Sequence, residues 1–298
     1  MTERPDFPGF IDSTARKDFV ACDMLGYYRH FLHLRPKGQN IHLHFGGCLA
    51  KGLEMFRRSF YGKEESFDES LKAGAEAILL QWGDMVPPEK SKKTMSACVV
   101  SLYDYFIEYP PAEDPIKPWM FEGGPAVEFT FALPIPGTKH PQTSEPILYT
   151  GRFDMLAKYN DAAFVCDEKT ATSLGMSWAN GWRLASQITG YIWAAKQFGH
   201  SVQGAVIRGI SPQARGIKHQ MVIEQRADWM IDRWLAQLRR DIEKMIRSWE
   251  TGLWDYNLDG SCASYGGCPY LPLCLSKNPM QGVETDYEVV IWDPLKET

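Results

Sequence analysis

Hydrophobic and polar positions fall into two regimes along the chain. From residue 13 to residue 109 apolar residues recur at three- and four-residue intervals, and this spacing predicts helices over 13–34, 47–61, 67–82 and 92–109. Pro36 lies beyond the first, Gly62 stops the second, and Asp68 is a candidate N-cap for the third. Pro110, Pro111, Pro115 and Pro118 then interrupt the pattern, and strand-like runs follow at 126–133, 147–159, 162–170, 202–210 and 219–224. Two further helices are predicted among them, over 178–198 and 226–249. The second carries Trp229, Ile231, Trp234, Leu235, Leu238, Ile242 and Ile246 as candidate core positions. A helical part over 13–109 thus precedes a sheet-and-helix part over 126–250. Residues 251–298 form a third segment, its last stretch from residue 278 read as an extended strand and tail.

The strands at 147–159 and 162–170 are separated by Asn160-Asp161, a good two-residue hairpin turn. With those two residues at the turn centre, Tyr159 faces Ala162 and, counting back in step, Asp154 faces Asp167. Opposed side chains in an antiparallel pair have Cβ atoms about 4.5–5.5 Å apart, and like charges there repel. A compensating cation is expected. Alternation along the strand puts Lys169 on the face of Asp167 and turns the Glu168 side chain to the other. Two carboxylates and an ammonium would converge, with room for a hard divalent cation. A bulge would spoil this register, and a surface hairpin with scattered charges is the alternative. In the following helix, Gln187 and Tyr191 are spaced by four and share one face.

Composition narrows the class. With 298 residues, 44% hydrophobic and 13% aromatic, the chain has ample material for a buried core. No apolar run approaches the roughly 20 residues that span a bilayer, so no membrane association is expected. The formal charge of −5 argues against indiscriminate nucleic-acid binding. Lys51, Arg57 and Arg58, then Lys90, Lys92 and Lys93, then Arg233, Arg239 and Arg240 form local basic groups, each read as a solvated helix face. No Gly-x4-Gly-Lys-Ser/Thr phosphate loop is present, so no ATP motor is expected.

Seven cysteines are present, three of them in a short C-terminal stretch at Cys262, Cys268 and Cys274. The chain begins without a secretory-type segment, which favours a reducing compartment and metal binding over disulfides. Zinc sites usually have closer pairs, and three thiols need a distant fourth ligand. Cys48, Cys98 and Cys166 stand in apolar surroundings and read as buried small hydrophobes.

Taken in order, Gly151-Arg152-Phe153-Asp154, Asp167-Glu168-Lys169-Thr170 and Gln187-x3-Tyr191 resemble the RecB-like branch of the PD-(D/E)XK nuclease superfamily, including exonucleases of CRISPR adaptation and phage homologues. The resemblance implies an α/β fold, a restriction-endonuclease-like core with a mixed central sheet, as a single nuclease domain over 1–298. It also implies a helical N-terminal insertion and a C-terminal iron-sulfur clasp. Asp154 and Asp167 would hold Mg2+ or Mn2+, assisted by the Glu168 backbone carbonyl. Lys169 would orient or deprotonate the attacking water, and Gln187 and Tyr191 would support the site and the strand. Cys22 occupies the place of the lineage's first cluster cysteine, so Cys22, Cys262, Cys268 and Cys274 would hold a 4Fe-4S cluster. The wide spacing of the last three leaves Zn2+ as the alternative.

One departure bears on activity. Where the lineage carries Gly-x-x-x-His, this chain reads Gly46-Gly47-Cys48-Leu49-Ala50, and the metal-binding histidine is replaced by alanine. Glu54, one helical turn on, is the candidate substitute ligand. His42 and His44 are expected in the preceding loop. The expectation is a metal-dependent DNA nuclease, an exonuclease on single-stranded DNA or DNA ends. The alternatives are a catalytically weakened DNA-binding or assembly protein and a structure-specific endonuclease. A bacterial cytoplasm, or phage expression within one, and partner proteins of recombination or CRISPR adaptation are further implications of the resemblance.

Overall fold

The computed structural model describes residues 4–293 except 39, 200, 259, 261, 264–266 and 292. Along the chain run β1 (Phe10–Ile11), α1 (Ser13–Ala21), β2 (Leu34–Pro36), α2 (Ile41–Arg57), α3 (Phe67–Trp82) and α4 (Met95–Glu108). Then come β3 (Val127–Pro134), β4 (Leu148–Tyr159), β5 (Ala162–Thr170), α5 (Ser186–Gln197), β6 (Val202–Gln213), β7 (Gly216–Gln225), α6 (Asp228–Thr251) and β8 (Tyr287–Val289), with shorter elements between. The result is an α/β fold with a mixed sheet.

Several boundaries differ from the sequence expectation for identifiable reasons. Asn40 caps α2 by accepting from the N–H groups of His42 and Leu43, so the helix starts well before Gly47 and both histidines lie inside it, not in a loop. The first predicted helix breaks at Cys22, whose backbone is extended at φ −169°. The helix predicted over 178–198 is interrupted before Ser186. There the guanidinium of Arg226 donates to the Trp182 carbonyl at 2.8 Å and to Thr189 Oγ1 at 3.0 Å. The same engagement leaves Arg226 buried outside α6, which begins at Asp228. Among the described residues of the tail only Tyr287–Val289 forms a strand, and residues 292 and 294–298 lie outside them.

The chain divides into two compact units. The larger comprises Gln39–Phe129 and Arg152–Asp228. In it β4 and β5 are antiparallel, β5 and β6 parallel, and β6 and β7 antiparallel. Asn160 and Asp161 both have positive φ, 49° and 61°, the turn whose twist matches the flanking strands. β6 is buried from Gly204 to Ser211, as a strand covered on both faces must be, whereas edge strand β7 alternates with exposed positions. Helices α2, α3 and α4 enclose a core of Phe45, Leu49, Leu53, Phe56, Ile78, Leu102 and Phe106. Each such side chain contributes roughly 1.5–3 kcal/mol by leaving water. Adding a Cβ to Gly46 would bring it 3.2 Å from Thr170 Oγ1, so this glycine lets α2 approach the end of β5 closely.

The smaller unit comprises Met1–Gly38, Thr130–Gly151 and Trp229–Thr298. Here β1 runs parallel to the start of β4, and β2 pairs antiparallel with β8. Arg16 reaches Asp241 of α6 at 2.8 Å, and Lys244 reaches Asp23 at 2.7 Å. Among the described residues no helix is long and apolar enough to cross a membrane.

Candidate active site

The hairpin keeps its turn-defined register as far as Met155 opposite Cys166, and the ladder stops there, one step short of the aspartates. Asp154 and Asp167 are therefore not a ladder pair. Side-chain packing shows why. Met155 clusters with Cys166, Val127 and Val206. Phe153, two residues earlier and expected on the same face, instead packs edge-on against Tyr191 of α5, with centroids 5.3 Å apart. The neighbouring strand inverts at the same level. Val127 belongs to the Met155 cluster while Phe129 stacks on Phe153, and between them Glu128 has φ +49°. The inversion frees the Asp154 carboxylate to accept the backbone N–H of Glu168 at 2.6 Å.

Asp167 is fully buried, and the Lys169 ammonium lies 2.7 Å from both of its oxygens. Only Oδ1 is hydrogen-bonded; Oδ2 is buried without a hydrogen-bond partner. Burial, then the charge of Asp167, pushes the Asp154 carboxyl well above the usual range, with Lys169 opposing. Burial also raises Asp167 against the opposing pull of Lys169. Burial alone would depress Lys169, but Asp167 and Asp154 more than reverse this and hold it charged. Two crowded carboxyls thus share one ammonium in a buried place, and ionising both calls for a further positive charge.

That demand fits a hard divalent cation of the kind held by one or two carboxylates while keeping several waters. Among the described residues no three His, Cys, Asp or Glu side chains gather around one ion position. Asp154 and Asp167 are the side chains that would meet such an ion.

The Glu168 side chain points to the opposite face, as strand alternation requires. Arg57 of α2 grips both its oxygens, at 3.2 and 2.5 Å, and Tyr105 of α4 donates to it at 2.8 Å. Arg208 of β6 continues the network, donating to Tyr105 Oη at 3.0 Å and to Asp114 at 2.7 Å. Burial would raise the Glu168 carboxyl, but the Arg57 guanidinium outweighs it and holds the group below the usual range. Glu168 can therefore reach an ion only through its backbone. Its side chain instead ties β5 to α2 and α4.

Gln187 Nε2 donates to Tyr191 Oη at 3.1 Å, and Tyr191 lies close enough to Asp167 for that charge to add to burial in raising its phenol. The predicted pair thus reaches the acid-lysine centre. Glu54 is paired with Lys51 at 2.9 Å and Arg58 at 2.8 Å. These cations outweigh burial and lower its carboxyl. His42 is exposed, and His44 packs on Trp82 and bonds its carbonyl. Among the described residues no imidazole is grouped with the acids in place of the one missing at Ala50.

Cys48, Cys98 and Cys166 are fully buried. In the smaller unit, burial raises Cys274 to about 11, with Cys22, Cys268 and Cys262 adding as neighbouring thiols. Burial also raises Cys268, again with Cys262 and Cys22 contributing, and Cys268 N–H donates to the Cys262 carbonyl at 2.7 Å. Cys22, Cys262 and Cys268 thus each act on Cys274, and Cys22 and Cys262 on Cys268.

Sequence reasoning missed Arg57, Tyr105, Arg208 and Glu128. Two left a signal. Arg57 falls on the Leu49–Leu53 stripe at four-residue spacing, and Arg208 interrupts the apolar run of Val206, Ile207 and Ile210. A charge on a buried stripe must find a partner. Glu128, placed by a positive φ in a strand, left none.

A model of the PD-(D/E)XK nuclease superfamily matches residues 14–275. The crystal structure of a candidate exonuclease from Eubacterium rectale aligns over 85% of this chain and 86% of that one, with 12% identity and a TM-score of 0.50. At that identity the likeness concerns the fold alone. A second solved structure, SSO0001, aligns over 67% of this chain and 74% of that one at 16% identity and a TM-score of 0.29, too low to carry an argument. No curated protein matches the chain.

Proposed function

The chain belongs to the PD-(D/E)XK nuclease superfamily, and from that premise we propose that it is a Mg2+- or Mn2+-dependent deoxyribonuclease, an exonuclease acting on single-stranded DNA or DNA ends. The observation that carries this reading is the buried Asp167, ion-paired to Lys169 and electrostatically coupled to Asp154. A divalent ion bound there would polarise the scissile phosphate and lower the pKa of a bound water. Asp154 and Asp167 hold the acidic pole of the site, Asp154 being fixed by the Glu168 N–H. Lys169 presents its ammonium to the attacking water and to the charge that develops on phosphorus oxygens. Tyr191, held by Gln187, packs on Phe153 and closes the site on the α5 side.

In the other unit, Cys22, Cys262, Cys268 and Cys274 are proposed to hold a 4Fe-4S cluster. A single zinc ion with bonds of about 2.3 Å needs its four sulfurs packed around one point. Cys22, Cys262 and Cys268 act electrostatically on Cys274, and the resemblance favours the cluster over a single zinc ion.

The test is incubation of the purified protein with end-labelled linear and circular single-stranded DNA, in Mn2+ and in EDTA. Metal-dependent loss of the linear strand with the circle intact is expected; cutting of the circle would make the protein an endonuclease. The absence of an imidazole at Ala50 favours one second reading, a nuclease-like DNA-binding protein without turnover. DNA binding without any metal-dependent cleavage would support that reading.

A further inference from the structure

Three half-exposed cations are each tethered to a carboxylate that is itself almost buried. Lys51 and Arg58, with side chains 38% and 44% exposed, both bind Glu54, which is 11% exposed. Arg152, 50% exposed and two residues before Asp154, binds Glu128, which is 10% exposed, at 2.7 Å. The two sets are linked, because Arg58 also reaches the carbonyl of Val127, next to Glu128, at 3.3 Å. Glu128 lies near enough to Glu54 and Glu168 for both to act on its carboxyl, so the row runs from α2 across β3 to the strand that bears Asp154.

From this arrangement we infer that Lys51, Arg58 and Arg152 form a phosphate track for a single DNA strand, and that Glu54 and Glu128 are the anchors that hold those cations in place, not metal ligands. The inference rests on the nuclease reading and specifies how the substrate is held. Its physical basis is direct. The carboxylates sit inside and the cationic heads outside. Each head therefore keeps donor capacity facing solvent, and its stem is ordered before a strand arrives. A guanidinium so held can donate in parallel to a phosphate, and such pre-ordering lowers the entropic cost of binding. The contacts are to phosphates, which position a strand without reading its bases.

The test measures binding of a fluorescent single-stranded oligonucleotide by anisotropy in Ca2+ over a range of salt. Lys51→Met, Arg58→Met and Arg152→Met are compared with the wild type, and thermal melts are recorded for each. Every lost phosphate contact is expected to flatten the log K against log salt slope by about 0.7, which corresponds to roughly fourfold weaker binding at 0.15 M salt. Glu54→Gln should weaken strand binding while leaving Mn2+ affinity, read by electron paramagnetic resonance, unchanged. Three variants with the wild-type slope, or a Glu54→Gln protein with weakened Mn2+ affinity, would overturn the inference. A wild-type protein that binds DNA but never cleaves it would instead defeat the nuclease reading and leave the slopes to decide the track.

Discussion

The carboxylate of Asp154 accepts the backbone N–H of Glu168 at 2.6 Å, joining the second strand of the hairpin to the first where their ladder has ended. One acid is thereby fixed to the backbone beside the other. The Glu168 side chain is meanwhile clamped by Arg57 on the opposite face, so the residue between Asp167 and Lys169 holds the centre in register from both sides.

Replacing Asp167 with Asn should reduce metal-dependent cleavage by roughly 10²-fold or more, because the ion and Lys169 both lose their partner. Lys169→Met should show a comparable loss with metal affinity retained. Cleavage rates together with Mn2+ titrations separate the two effects.

Arg57 and Glu168 have side chains only 4% and 5% exposed. Breaking a buried pair by removing one partner costs about 3–5 kcal/mol, since the other charge is left buried and unpaired. Arg57→Met is thus expected to lower stability strongly. The double variant Arg57→Met/Glu168→Leu should recover part of the loss. Urea melts of both proteins check this, and a double variant no more stable than the single one would show that the charge is not the cause.

pH and metal should act in opposite directions. Asp154, Asp167 and Glu128 all have carboxyls raised in the folded chain, burial being the first cause in each, and Glu128 reaches about 7. A group raised on folding is harder to ionise when folded, so stability falls as pH climbs from the unfolded carboxylate range, about 4, through the raised folded values. Glu54 and Glu168, lowered on folding, contribute stability that is lost only at more acid pH. The gain in Tm on adding Mn2+ should therefore grow between about pH 5 and about pH 8. A gain that is flat across that range would contradict it.

The cluster proposal has its own readout. Protein purified without oxygen should be brown, contain iron and sulfide in similar amounts, and lose both on Cys274→Ser. Stoichiometric zinc without iron would replace the cluster with a zinc site.

Much of this architecture was legible in the sequence. The Asn160-Asp161 turn fixed the register, strand alternation placed Lys169 with Asp167 and turned Glu168 away, and four-residue spacing brought Gln187 to Tyr191. What escaped was long-range. The inversion of β3 and β4 at Glu128 and Asp154 depends on the aromatic partners Phe129, Phe153 and Tyr191, which come from three separate elements. The break in the helix near Trp182 depends on Arg226, far along the chain. From sequence alone Arg57 reads as a solvated basic residue because its partner Glu168 is distant along the chain, although its place on the Leu49–Leu53 stripe requires one.

The account rests on Asp154 and Asp167 serving one divalent ion, and Mn2+ binding followed by electron paramagnetic resonance measures that directly. The wild-type protein should bind the ion, and Asp154→Asn and Asp167→Asn should each weaken that binding sharply while remaining folded. Folded variants that bind Mn2+ as the wild type does would contradict it.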